Sequence, residues 1–343
     1  MKNRVILSMK KGVLKVSLLL VVLFMSLSSM AESPRKVVCI GETVLDILFR
    51  NEKPISANPG GSALNSAVSL GRSGVNVYFV GETGKDHTGD IIRSFLRDNG
   101  VNGTCVRQYE GMNTMTSLAF LDEKNNAHYS FYMTRPRQRE DFILPVINPD
   151  DIVIFGSFYS VNPDIRNQMR RFLDYAHDRG AIIYYDVNIR PPHSSMIGII
   201  RPYVIENMKI ADVVRGSRGD MRTVFQCSDA DSAYVKYVEP SCRYFISTGG
   251  TNPVIVNTGT EREEYPVKKI KTVSTIGAGD NFNAGFAFGL IQLGITRQQL
   301  IKGLSPKQWS ELIKYTQMFS QNCCMSLENY VSKAFGNKMK SHH

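Results

Sequence analysis

Short apolar runs bounded by glycine, proline or acid recur along the chain: Val37-Val38-Cys39-Ile40, Val75 to Val80, Ile152 to Phe155, Ile182 to Tyr185, Val213-Val214 and Tyr244 to Ser247. They are continuous rather than alternating, the pattern of strands buried on both faces. Between them the apolar residues change to helical spacing. Ala63, Ala67 and Leu70 mark a helix that ends near Gly71–Gly74, and Ile91, Ile92, Phe95 and Leu96 mark another that Asn99-Gly100 stops. Strand and helix therefore alternate, which predicts an α/β fold with a mostly parallel sheet covered on both faces. One stretch breaks the rhythm. Thr116 to Leu121 and His128 to Met133 are strand-like and flank Asp122-Glu123-Lys124-Asn125-Asn126, a hairpin signal. Together with strand-like Val44 to Phe49 it predicts a small β lid, drawn from about 44–58 and 104–133. Pro59-Gly60-Gly61 is expected to be a turn, and helical segments dominate from 278 onward.

The first of those late helices carries the chemistry. Phe282, Phe286, Leu290 and Leu293 recur at helical intervals, so Gly277, Ala278 and Gly279 fall at a helix N-terminus. Unpaired backbone N–H groups and the positive end of the helix dipole make such a place an anion site, and missing Cβ atoms let a phosphate come close. Asp280, just inside the turn, is placed to take a proton from a hydroxyl that attacks that phosphate. For this motif alone, a tight turn with a capping Asp is the better reading.

The net charge of +10 changes little, because five of the excess cations lie in residues 1–30, at Lys2, Arg4, Lys10, Lys11 and Lys15. No run of basic residues interleaved with aromatics follows, so nucleic acid is not an expected partner. The six cysteines form no CxxC and have no histidine at zinc spacing, which points to buried free thiols. Residues 1–31 have the layout of a secretory signal: a basic stretch, the apolar Val16 to Met25, and small residues at Ser29 and Ala31. The apolar core is too short for a membrane span. Two readings stay open. Either the leader exports the protein, or translation starts at Met30 and the protein is cytoplasmic.

Two motifs, Pro59-Gly60-Gly61-Ser62-Ala63-Leu64-Asn65 and Thr275-Ile276-Gly277-Ala278-Gly279-Asp280, occur in this order with the hairpin between them. In both, the chain resembles the PfkB, or ribokinase-like, carbohydrate kinases, and most closely their fructokinase-like branch. The resemblance runs from about residue 36 to 326. It implies a three-layer α/β/α domain with a β lid, here 32–330, leaving 331–343 as a tail. It also implies ATP, Mg²⁺ and transfer of the γ-phosphate to a sugar hydroxyl, with a homodimer through the lid as an expectation from similar proteins.

Carried onto this sequence, the resemblance makes Asp280 the base, with Gly277, Ala278 and Gly279 around the transferred phosphate. Gly60, Gly61, Asn65 and Asp46 match sugar-contacting positions, and a carboxylate such as Asp46 can bind two neighbouring hydroxyls. Asn188 and Arg190, in an Asp-x-Asn-x-Arg segment at a strand end, are expected near the phosphates. Ser217 and Asp220, expected to bind the nucleotide, fall where relatives carry Asn-x-x-Glu, a segment that helps organise Mg²⁺ and phosphate, and no metal ligand is assigned. Thr248 and Gly249 resemble a nucleotide loop, although Asn252-Pro253 stands where another glycine is usual. Arg135, Arg137 and Arg139 are expected on a solvated face. Gly81-Glu82-Thr83-Gly84-Lys85-Asp86 is too short for a Walker A loop. Fructose is the first expected substrate, with ribose, a 2-keto-3-deoxy sugar acid or a nucleoside as alternatives. A kinase fold that only binds is the rival of another class.

Overall fold

Alternate residues of a strand point to opposite faces, and here both faces are apolar. In β1 (Val37–Ile40) the side chains of Val37 and Cys39 enter one hydrophobic core while Val38 and Ile40 enter another. β10 (Ile182–Asp186) repeats the division, with Ile182 and Tyr184 on the first side and Ile183 and Tyr185 on the second. That division makes the sheet the middle layer of three. The computed structural model describes residues 34–122 and 127–341; residues 1–31, read above as a leader, lie outside the described residues, as do His342 and His343.

The central sheet runs β14 (Arg262–Tyr265), β13 (Val254–Asn257), β12 (Tyr244–Thr248), β11 (Val213–Ser217), β10, β9 (Ile152–Gly156), β1, β4 (Val77–Gly84) and β5 (Val101–Asn102). β6 (Val106–Tyr109) also pairs with β4. All pairs from β12 across to β5 are parallel, and in this sheet only β13, paired antiparallel with both β12 and β14, runs the other way. A second sheet, β3 (Lys53–Gly60), β2 (Val44–Arg50), β7 (Thr116–Leu121) and β8 (Ala127–Tyr132), forms the lid. One core is closed by α1 (Ser62–Arg72), α2 (His87–Asp98), α7 (Ala278–Gln292), α8 (Arg297–Lys302), α9 (Pro306–Cys324) and α10 (Lys333–Lys340). The other is closed by α3 (Arg166–Asp178), α4 (Ile197–Ile210), α5 (Arg218–Phe225) and the short α6 (Ala230–Ala233).

Three expectations are corrected. Residues 106–109 belong to the central sheet, so the hairpin part of the lid begins at Thr116. Pro59 and Gly60 are not a turn: they end β3, the lid's edge strand, and the chain turns only at Gly61. An edge strand tolerates Pro54 and Pro59 because one row of its N–H groups faces away from any partner. The segment after 330 is no tail. It includes α10, whose Met339 is buried in the first core, and Gly336 lies so close to the Arg72 carbonyl that a Cβ would fall 2.6 Å from it. Elsewhere the expectation holds: the six cysteines are all free, and five are buried. Among the described residues no helix is long and apolar enough to cross a membrane.

α7 is the helix on which the site depends. From Asp280 to Leu290 it is buried on every face, as a helix between a sheet and a second helix must be. Gly285 lets α9 approach, since a Cβ there would sit 2.6 Å from the Tyr315 carbonyl oxygen. Phe286 packs its ring 4.9 Å from Tyr184 and 6.4 Å from Trp309. Phe286→Ala is expected to lower unfolding free energy by about 3–5 kcal/mol in a denaturant titration.

Candidate active site

The parallel strands end on one edge of the sheet, where open α/β sheets hold ligands. α7 starts there. Gly277 is left-handed, with φ of 78°, and a Cβ at that position would lie 2.5 Å from the Asn329 carbonyl oxygen. The turn therefore needs glycine for its conformation and for the space it leaves. It is followed by Ala278, Gly279 and Asp280 in the first helical turn, where backbone N–H groups point out of the helix end.

Asp280 is only 7% exposed. Its two oxygens are met by the other motif: Ser62 Oγ donates at 2.7 Å and Asn65 Nδ2 at 2.8 Å. Ser66 Oγ fixes the same residue's backbone, donating to its carbonyl at 2.7 Å. Burial pushes the Asp280 carboxyl above the usual range, and the charge of Asp186 adds to this, while the two hydrogen bonds and Arg190 pull it back. The two motifs, separated by more than two hundred residues, thus meet at a single carboxylate.

Around it the sugar-type residues converge. Asp46 on β2 faces Gly60, where a Cβ would collide with its carboxyl oxygen, and accepts a hydrogen bond from Ser117 of β7. Its burial raises its pKa to about 6. Gly61, with φ of 119°, leaves no room for a side chain against the Glu42 carbonyl. Asn188, itself at a φ of 40°, donates to Ser62 Oγ at 2.9 Å. Asn65 Oδ1 and Asn188 Oδ1 are buried acceptors with no partner in the protein. Such atoms are costly unless a ligand meets them. Arg190 is exposed beside this group.

The nucleotide-type residues form a second cluster on the ends of β11 and β12. Ser217 and Asp220 do not reach outward. They form a capping box for α5: Ser217 Oγ accepts from the Asp220 N–H at 3.0 Å and the Asp220 carboxylate from the Ser217 N–H at 2.7 Å. Among the described residues no group of three or more His, Cys, Asp or Glu could hold a metal ion. Ser217 and Asp220 are thus engaged with each other in the cap, and no metal ligand is assigned to them. Thr248 is buried and accepts from Arg215 Nη2 at 2.7 Å, and the Gly249 carbonyl turns the loop by accepting from Asn252.

Several participants had no assigned role in the sequence. Ser62 lies inside the quoted motif, and its hydroxyl is a donor of the right reach. Glu42, partly buried, accepts from Ser157 Oγ at 3.0 Å, and burial raises its pKa. Arg215 gives no sequence signal, because a charged residue at a strand end usually faces water. Among the arginines after the lid, Arg135 pairs with Asp164 on the surface as expected. Arg139 departs from the expectation: it is 17% exposed and pairs at 2.6 Å with Glu82.

Known proteins resemble this chain in sequence and in fold. The family model described as pfkB family carbohydrate kinase matches residues 34–315. A probable chloroplastic fructokinase-6 of Arabidopsis thaliana is 26% identical over 310 residues, covering 86% of this chain and 77% of the relative. A 5-dehydro-2-deoxygluconokinase of Bacillus thuringiensis (strain Al Hakam) is 24% identical over 282 residues, covering 76% and 84%. The crystal structure of a fructokinase from Vibrio cholerae O395 with fructose, ADP and calcium ion superposes with a TM-score of 0.76 at 18% identity, over 89% of this chain and 98% of that one. By its sequence match over most of its length, with the ribokinase-like fold to accompany it, the chain belongs to the pfkB family of carbohydrate kinases.

Proposed function

We propose that this kinase transfers the γ-phosphate of ATP to a hydroxyl of a neutral ketohexose, fructose first. The observation that carries the reading is the Asp280 carboxylate, held by Ser62 and Asn65 at the mouth of the α7 N-terminus. Phosphoryl transfer asks the protein mainly for position and charge stabilisation. Asp280 accepts the proton of the attacking hydroxyl. The N–H groups of Gly277, Ala278 and Gly279 stabilise charge on the transferred group. Asp46, Gly60, Gly61 and Asn65 hold the sugar, whose hydroxyls would satisfy the unpartnered oxygens of Asn65 and Asn188. Arg190 and Asn188 stand near the phosphates, and Thr248 and Gly249 shape the nucleotide loop. Ser217 and Asp220, joined in the α5 cap, flank that loop through the pairing of Ser217 with Thr248, and Mg²⁺ would arrive on the phosphates of ATP.

The charge inventory favours a neutral sugar over a sugar acid. Asp46, Glu42 and Asp280 are carboxylates, Arg139 is neutralised by Glu82 and Arg135 by Asp164, and Arg190, the cation beside Asp280, is assigned to the phosphates. The lid's apolar exposed residues, Ile55, Phe120, Phe131 and Tyr132, support a homodimer formed lid to lid. Sedimentation is expected to find a dimer that Phe131→Glu dissociates.

ADP release with ATP, Mg²⁺ and a panel of sugars tests the activity. Turnover should require one neutral ketose, and Asp280→Asn should keep the wild-type melting curve while losing on the order of 100-fold or more in kcat. A mutant with wild-type kcat would remove Asp280 from the mechanism. Acidification should act in two ways. Because burial raises the Asp280 pKa and the base works only when ionised, kcat should fall as pH drops, with its midpoint above the usual carboxylate range. Because Asp46 titrates near 6 and its protonation turns an acceptor into a donor, the sugar KM should rise below that pH. Both are read from kcat and KM measured separately across pH.

A further inference from the structure

We propose that Arg215 is a positioning residue that sets the register between the two halves of the reaction, tying the nucleotide loop at Thr248 to the Gly277–Gly279 turn. The proposal rests on the kinase reading above.

The two terminal nitrogens of the Arg215 guanidinium are both committed, while its buried Nε has no partner in the protein. Nη1 donates to both oxygens of Asp186, at 2.9 and 3.1 Å, and Nη2 donates to Thr248 Oγ1 at 2.7 Å. Its side chain is 8% exposed and that of Asp186 is 2% exposed. Burial opposes its charge, but Asp186, with Asp220 next, outweighs the cost and keeps it protonated. The same guanidinium lies beneath the first turn of α7. A Cβ on Gly279 would sit 2.9 Å from Nη1 and 3.1 Å from Nη2, and the Phe282 ring centroid is 5.7 Å from Cζ. Asn283, one helical turn beyond Gly279, donates to Asp186 at 2.8 Å and accepts from the Tyr184 hydroxyl at 3.1 Å. One cation thus touches the ends of β10, β11 and β12 and the start of α7.

Two consequences follow for the chemistry. By accepting from Arg215, Thr248 keeps its own hydroxyl proton free to donate to a phosphate oxygen. By packing against Gly279, the guanidinium fixes the height of the turn whose N–H groups would meet the transferred group. Donor and acceptor sites are thereby held at one separation, and small errors in that separation are expensive in rate. A simple stabilising ion pair would not need the Thr248 bond or the glycine at 279. Lysine cannot replace this fork, since one ammonium lacks the planar geometry that serves Asp186 and Thr248 together.

The test is steady-state kinetics of wild type, Arg215→Lys, Thr248→Val and the double variant with ATP and the sugar the panel identifies, beside thermal melts. Arg215→Lys is expected to lower kcat at least about tenfold while the sugar KM stays within about twofold. Thr248→Val should lower kcat as well, and the double variant should lose little more than Arg215→Lys alone, because both break one link. A wild-type kcat in Arg215→Lys, or losses that simply multiply in the double variant, would overturn the proposal. If Arg215→Lys fails to fold, Thr248→Val decides, and its unchanged kcat overturns the link. Absence of sugar-dependent turnover in the wild type is a different result: it overturns the kinase reading, and this proposal with it.

Discussion

A carboxylate taken out of water has to be met by donors, and Asp280 meets that demand across the whole length of the domain. Its donors, Ser62 and Asn65, stand on α1, the helix that begins where the lid ends, while Asp280 itself stands on α7. The hydrogen bonds therefore do more than hold one side chain. They lock two of the helices that close the first core into one relation, with Ser66 binding the Asp280 carbonyl and Ser69 bonding Asn281 at 2.6 Å along the same seam. The proposed base and the proposed sugar site share this seam, so neither can be placed without the other. The small residues of α1, Ser62, Ala63, Ser66, Ala67 and Ser69, are what let the two helices come close enough for such short side chains to bond.

Charge is sorted by depth across the site. Carboxylates line the side toward the lid, at Asp46, Glu42 and Asp280, each held above its usual pKa by burial. The cation that balances the deeper side, Arg215, is paired with Asp186 and is hydrogen-bonded on two prongs. A buried pair of this kind gains little net stability over apolar packing, but removing one partner leaves a stranded charge. Its value lies in geometry, because an ion pair with defined hydrogen bonds permits one arrangement where apolar side chains permit several.

Much of the fold was legible in the residues. Continuous apolar runs marked β1, β9, β10 and β12 because a strand covered on both faces has no polar side. Phe282, Phe286 and Leu290 marked α7 because its core contacts recur at the helical period. What escaped had weak patterns for physical reasons. β3 is a polar edge strand with two prolines, so its end at Pro59 and Gly60 read as a turn. α10 buries little beyond Gly336 and Met339 beneath a lysine-rich surface, so it reads as a tail. Strand β6 looked like lid because four residues cannot say which sheet they join; only the pairing with Gly81 to Gly84 does.

For the site, the sequence by itself determined the residue types and their local settings: glycines where the chain must be left-handed or crowded, an acid in the first turn of a helix, and serine and asparagine just after the Gly-Gly pair. These are local properties, set by backbone conformation and by neighbours in the chain. Tertiary structure alone decided which polar groups became partners. It joined Arg139 to Glu82, and brought Arg215 beneath Gly279 and beside Thr248. Hydrogen bonds and ion pairs act over a few ångströms, and the distances between residues far apart in the chain are fixed only when the sheet and its two layers of helices have packed.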